Sequence, residues 1–209
     1  MGIDVQSIYK PFQRIFRPRR MRNFVQYFNV TNDTAILDAG GTPLNWSFVP
    51  QRPQVTMINI FGQESVERNM RTMVYDGCTF PFANNSFDVC YSNSVIEHVG
   101  DRSRIEHFAN EIRRAAPRYF VQTPNLWFFV EPHFVCVFIH WLPFSIMRRL
   151  IRYFSVWGWV VKPDQAHVDR TIAEILLLTR KDMQKLFPDA EIVVERFAGM
   201  TKSIIARKR

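Results

Sequence analysis

The feature that most constrains this chain is a rhythm of short apolar runs, each closed by turn residues and separated from the next. "TAILDAG" (34–40), "QVTMINI" (54–60), "TMVYDG" (72–77), "FDVCYSNS" (87–94) and "RYFVQTPN" (118–125) share this form. Runs of this length bounded by Gly, Asn, Asp or Pro read as strands buried in a parallel sheet. Between the last two, "DRSRIEHFANEIRRAAP" carries Ile105, Phe108, Ala109 and Ile112 at helical spacing. Asp101 or Ser103 is placed to cap that helix, and Ser103 with Glu106 has capping-box spacing. Further on, "TRKDMQKLFPDA" predicts a helix ended by Pro188, and "EIVVERF" and "KSIIARK" predict two more strands. The link around "AGMT" is too short for a crossover helix, so these two strands pair antiparallel. The expected class is α/β: a seven-stranded, mostly parallel sheet with a C-terminal antiparallel hairpin and helices on both faces.

The 209 residues suit one domain with an embellishment. Residues 1–30 form a basic leader, whose Met21, Phe24, Val25 and Phe28 recur at helical spacing; residues 31–209 form the main domain. An aromatic insertion at about 124–169 interrupts the strand rhythm. Three widely spaced cysteines (Cys78, Cys90, Cys136) lack any CxxC pairing, so neither a disulfide framework nor a zinc site is expected, and a cytoplasmic setting is. The start "MGIDVQSIYK" lacks the pattern of a signal peptide, and Gln6 removes a myristoylation signal. The net charge of +8 gathers at Lys10, Arg14, Arg17, Arg19, Arg20 and Arg22, at Arg148, Arg149 and Arg152, and at Lys202, Arg207, Lys208 and Arg209. Such a balance suits phosphate-rich partners or plain solubility.

Open α/β sheets bind ligands at the carboxyl ends of their strands. Asp38-Ala39-Gly40-Gly41 follows the first strand, Asn59 and Ile60 end the second, Asp76-Gly77 the third and Ser92-Asn93 the fourth. The composite "DGCTFPFANNSFDVCYSNSVIEHVGDRSRIEHFANEIRRAAP" (76–117) resembles the small-molecule "type 11" branch of the class I S-adenosylmethionine-dependent methyltransferases. The resemblance runs from about Ile36 to Thr123, with a weaker tail through 180–206, and implies a Rossmann-like fold and that cofactor. It implies that Asp38 and Gly40 meet the methionine part of the cofactor, with Gly41 and Thr42 in the same loop. Asn59 stands where the family usually grips both ribose hydroxyls with a carboxylate, beside Ile60. Asp76 matches the acceptor for the adenine amino group, with Gly77 next to it, and Ser92 and Asn93 lie by the sulfonium. Ile96, Glu97 and His98 match an "EH" element on the rim.

The loop departs from the family's Asp-x-Gly-x-Gly-x-Gly: Thr42 replaces the second glycine and Leu44 the third, and Pro43 lacks a donor. An adapted loop resembles a "GGTP" variant among relatives around glycan-assembly genes; a non-catalytic scaffold is the rival. Asn125, Trp127, Glu131, His133 and His140 are acceptor-side candidates. A hydroxyl acceptor needs its proton removed, and His98, His133 or Glu131 can serve; His98 also reads as a packing histidine. No metal is expected. The expected acceptor is a glycan, lipid-linked sugar or other small or lipid-like molecule. Nucleic-acid base methylation is disfavoured, because "SNSV" stands where an Asn-Pro-Pro-Tyr element belongs. Ile146, Met147, Leu150, Ile151 and Phe154 make an apolar stripe near Arg148, Arg149 and Arg152, which reads either as a helix lying on an anionic membrane or as a lid.

Overall fold

The computed structural model describes the backbone of residues 5–76 and 78–209, and side chains from Phe16 onward apart from Gly77. Its centre is an eight-stranded sheet: β1 (Ala35–Ala39), β2 (Gln54–Asn59), β3 (Ser65–Glu67), β4 (Met70–Val74), β5 (Val89–Asn93), β6 (Arg118–Pro124), β9 (Glu191–Phe197) and β10 (Met200–Lys208). The spatial order is β3-β4-β2-β1-β5-β6-β10-β9. The five strands from β4 to β6 run parallel, while β10 and β9 close that side antiparallel. The α/β class, the mostly parallel sheet and the C-terminal hairpin are therefore as expected.

Two details differ. The sheet has eight strands, not seven, because β3 folds back on β4 as an antiparallel edge. All three β3 residues are exposed, so no buried face marks the strand in the sequence. The third expected strand also begins earlier, at Met70, since β4 follows the register of β2 from Val55 opposite Met70 to Asn59 opposite Val74. Tyr75 and Asp76 are thereby left beyond the strand end.

Strand alternation sends successive side chains to opposite faces. On one face Ile36, Val55, Met57, Val89, Tyr91, Phe120 and Ile205 receive the leader helix α1 (Val5–Phe28) and the short α2 (Pro43–Trp46). Phe24 of α1 is fully buried, with its ring 5.0 Å from Tyr91 and 5.7 Å from Phe120. Truncation of such a ring costs about 3–5 kcal/mol. On the other face Leu37, Ala39, Ile58, Cys90, Tyr119, Val121 and Ile204 pack on α3 (Arg102–Ala115) and α7 (Arg180–Leu186). Asp101 caps α3 by accepting from the Arg104 amide at 2.9 Å, and Thr179 with Asp182 forms a capping box on α7.

Several of the basic residues are paired within the fold. Arg20 is buried and donates to Glu195 from Nε at 2.8 Å and from a terminal nitrogen at 2.5 Å, as well as to Asn93 and Gln122. At the chain's other end Arg207 pairs with Glu191 and Lys208 with Asp189, and Arg207 and Arg209 lie over the Tyr27 ring. The side chains of Lys10 and Arg14 lie outside the described residues.

The insertion carries a small core of its own. The β7 (Val130–Glu131) and β8 (Cys136–Val137) ribbon precedes α4 (Phe144–Phe154), α5 (Val156–Val161) and α6 (Gln165–Ala173). Phe134, Cys136, Ile139, Ile151, Trp157, Val168 and Ile172 are buried together. Met147 and Leu150 pack against that core, whereas Ile146 and Phe154, at the ends of the expected stripe, are exposed. Arg148 is paired with Asp169. No described helix is long and apolar enough to cross a membrane.

Candidate active site at the carboxyl edge

Between β1 and α2 the chain turns at Gly40, whose φ of +80° suits glycine. A side chain on Gly40 would meet Val95, 2.5 Å away, and one on Gly41 would fall 1.8 Å from Oδ2 of Asp38. The paired glycines thus lay the turn directly on a carboxylate. Asp38 is fully buried; its Oδ2 accepts from Nε1 of Trp46 at 2.8 Å, and its Oδ1 has no partner among the described residues. Burial pushes its carboxyl up to about 7, against the lowering effect of the Trp46 hydrogen bond. Thr42 is exposed at the N-terminus of α2, where its side chain makes no capping bond.

Several expected cofactor residues serve the scaffold. Nδ2 of Asn59 lies 3.3 Å from the Gly41 carbonyl and 3.5 Å from that of Gly40, while its Oδ1 accepts from the Ile60 amide. Asn59 therefore braces the glycine turn. Alternation on β5 sends the side chains of Ser92 and Asn93 to opposite faces. Ser92 is buried and donates to the Ala39 carbonyl at 3.0 Å, and Asn93 accepts from Arg20. Asp76 is half exposed; its Oδ1 accepts from the Cys78 amide at 3.0 Å and from Arg104 at 3.3 Å. Ile60 is exposed, and Gly77 lies outside the described residues.

The segment after Asp76 is fastened to α3. Glu111 accepts from the Phe80 amide at 2.7 Å, and Arg114 donates to the carbonyls of Phe80 and Phe82. This clamp joins the "TFPF" turn to "EIRR", the two ends of the motif that carries the family resemblance.

Beyond β5 the edge is built from histidines and carboxylates. The 3-10 turn Ile96–His98 follows β5, and Glu97 within it is fully buried. Oε2 of Glu97 accepts from Thr123 of β6 at 3.0 Å, and Oε1 has no partner among the described residues. Burial raises the Glu97 carboxyl, opposed by the nearby His133. From the insertion, Glu131 and His133 come within 2.6 Å through Oε1 and Nδ1, and the His133 ring stands edge-on to His98 at 4.7 Å. Glu131, with the nearby Glu97, holds the His133 pKa above the ordinary value despite burial. His98 is pulled down to about 4 by its surroundings and by His133. All three expected catalytic residues therefore meet here, together with Glu97, which sequence reasoning had placed only on the rim. Thr123 and Trp46, the partners of the two buried carboxylates, carry no motif signal of their own.

The acceptor-side candidates divide. Asn125 and Trp127 line a cavity of about 680 Å³ with Arg180, Lys181, Arg196 and Thr201, among others, between the end of β6, the start of α7 and the β9–β10 hairpin. Glu131 and His133 join the histidine cluster instead. His140 packs on the Leu126 carbonyl at 2.9 Å.

Residues 51–117 match the family model described as a methyltransferase domain. A search of curated proteins found no significant match. Among solved structures, a SAM-dependent methyltransferase from Aquifex aeolicus is similar at 12% identity, covering 98% of this chain and 97% of that one, with a TM-score of 0.52. A Burkholderia thailandensis 1,6-didemethyltoxoflavin-N1-methyltransferase with bound S-adenosylhomocysteine is similar at 13%, over 97% and 83%, with a TM-score of 0.53. A Haemonchus contortus phosphoethanolamine N-methyltransferase is similar at 14%, covering 84% of this chain, with a TM-score of 0.54. The chain spans only 38% of that enzyme and 44% of another matched structure. At these identities the structural likenesses speak for the fold, and the family match speaks for the domain. Residues 51–117 thus carry a likeness to a methyltransferase domain, and the fold around them is Rossmann-like.

Proposed function

We propose that the chain transfers a methyl group from S-adenosylmethionine to a hydroxyl of a small, glycan or lipid-like acceptor. The observation that carries this reading is the 2.6 Å contact between His133 and Glu131 at the carboxyl edge, beside His98. A carboxylate on Nδ1 fixes the ring and leaves Nε2 to take the acceptor's proton. Methyl transfer is an in-line displacement whose leaving thioether needs no acid, so the remaining work is positioning.

Asp38, Gly40, Gly41 and Thr42 are the proposed cofactor turn, with Ile60 and Asp76 flanking the ribose and adenine ends. The unpartnered Oδ1 of Asp38 supports this, as a cationic group of the cofactor would satisfy it. Proton uptake by His133 predicts that His133→Gln lowers kcat about 10²–10⁴-fold while leaving cofactor affinity intact. Calorimetric titration with S-adenosylmethionine and S-adenosylhomocysteine tests the first requirement, and absence of binding would end the enzyme reading.

A non-catalytic binding subunit is the second reading. Its support is the internal use of Asn59, Ser92 and Asn93. Binding without turnover across hydroxylated acceptors would favour it.

Contact with an anionic membrane belongs to the first reading. Phe144, Ile146, Tyr153, Phe154 and Trp159 of the insertion are exposed, with Arg149 exposed among them. Co-sedimentation with vesicles containing phosphatidylserine is expected; equal recovery without vesicles would remove the membrane. A reducing, cytoplasmic setting fits the three buried free cysteines.

A further inference from the structure

We infer that Glu97, His98 and His133 bind a divalent first-row transition-metal ion of the zinc type. One donor atom from each lies within 4.8 Å of the others. Tetrahedral zinc, with bonds near 2.0–2.1 Å, asks for donors roughly 3.4 Å apart, so modest side-chain shifts close the set. Two imidazoles and one carboxylate suit zinc, iron or cobalt rather than magnesium or calcium, which take oxygen ligands.

Two further features mark the cluster as a binding site rather than a packed polar patch. Glu97 has 0% exposure, yet its Oε1 has no hydrogen-bond partner among the described residues. A buried carboxylate oxygen left unpaired is costly, and a bound cation removes that cost. Next, the ligands have supports of their own. Glu131, itself 2% exposed, holds Nδ1 of His133, and Thr123 holds the other oxygen of Glu97. A carboxylate behind a histidine is the usual outer partner of a metal ligand, since it fixes the tautomer and aims the free nitrogen.

The site's existence does not depend on the proposed methyl transfer; only its role does. An ion held by three protein ligands keeps an open position, where an acceptor oxygen would be polarised and its proton released more readily. His133 is then the base of the metal-free chain and a ligand in the loaded one.

The test uses the untagged full chain, stripped with chelator, incubated with Zn²⁺ and desalted before elemental analysis. One equivalent of zinc is expected, with a rise in melting temperature over the stripped protein. Glu97→Gln, His98→Gln and His133→Gln are each expected to abolish both, and His107→Gln to leave both unchanged. Glu131→Gln, which changes only the support, should weaken affinity about 10–100-fold. No retained zinc in the parent chain, or undiminished zinc in the three ligand variants, would overturn the inference. Should a variant fail to fold, Co²⁺ added to the parent protein gives an independent reading. Strong visible absorption of a four- or five-coordinate ion supports the site, and a spectrum like aqueous Co²⁺ refutes it. Zinc binding without cofactor binding would sink the enzyme reading alone; cofactor binding without zinc would sink the metal alone.

Discussion

Asp38 and Glu97 invite direct comparison. Both are fully buried at the carboxyl edge, each has one oxygen held by a single side-chain donor, and each has one oxygen with no partner. Their surroundings differ. Asp38 lies beneath a glycine turn and is satisfied only by Trp46, whereas Glu97 faces two histidines. Burial raises both carboxyls, but only Glu97 has a neighbouring side chain able to carry positive charge that opposes the rise to a meaningful degree. An edge of this kind keeps two anionic sockets, one open toward a cofactor turn and one already half built as a cluster.

The largest test of that contrast is Gly41→Ala. A methyl group 1.8 Å from Oδ2 forces the turn or the carboxylate to move. Overpacking of this sort costs about 1–3 kcal/mol, and we expect the upper end together with loss of cofactor binding. Unchanged urea midpoints and unchanged affinity would show that the turn does not rest on Asp38.

Next come the two donors. Trp46→Phe strands the Asp38 carboxylate, and Thr123→Val strands that of Glu97. Leaving a buried acceptor unsatisfied costs about 1–3 kcal/mol. The Trp46 variant should lose more, because His133 still opposes the charge on Glu97. An equal loss from both would break the distinction drawn between the two sockets.

The last test reads sign rather than size: in pH dependence the two regions should have opposite signs. With Asp38 raised from 3.8 to about 7, the folded chain holds a proton that the unfolded chain has released. Asp38 therefore lowers stability progressively as pH climbs from about 4 to about 7. With His98 lowered from 6.5 to about 4, the unfolded chain binds more protons across that interval. His98 thus adds stability as pH rises from about 4 to 6.5. Urea midpoints measured against pH for Asp38→Asn and His98→Gln, each subtracted from the parent, should slope in opposite directions. Slopes of the same sign would refute these assignments.

Much of this edge was legible in advance, and for a physical reason. Apolar runs bounded by turns report burial on both faces, so β1, β2, β5 and β6 stand out in the sequence. The exposed β3 has no such pattern and was not visible. Asp38, Glu131, His98 and His133 were visible as residue types, but their pairings depend on where the insertion folds back. Asn59 and Asn93 were read as ligand groups because they end strands. Among their partners, the glycine-turn carbonyls and Arg20 are 18 or more positions away in sequence and leave no local trace.

Arg20 also bears on the order in which the chain can be assembled. Its partner Glu195 lies 175 positions later, on a strand made long after α1. A growing chain emerges from its N-terminus, so the buried guanidinium must wait, unpaired, until β9 arrives. Contacts of such long sequence separation slow folding, since the connecting loop must be closed before they form. Truncation before Glu195 should therefore leave α1 undocked and the Phe24 surface open to other chains, making C-terminal nicking a route to aggregation.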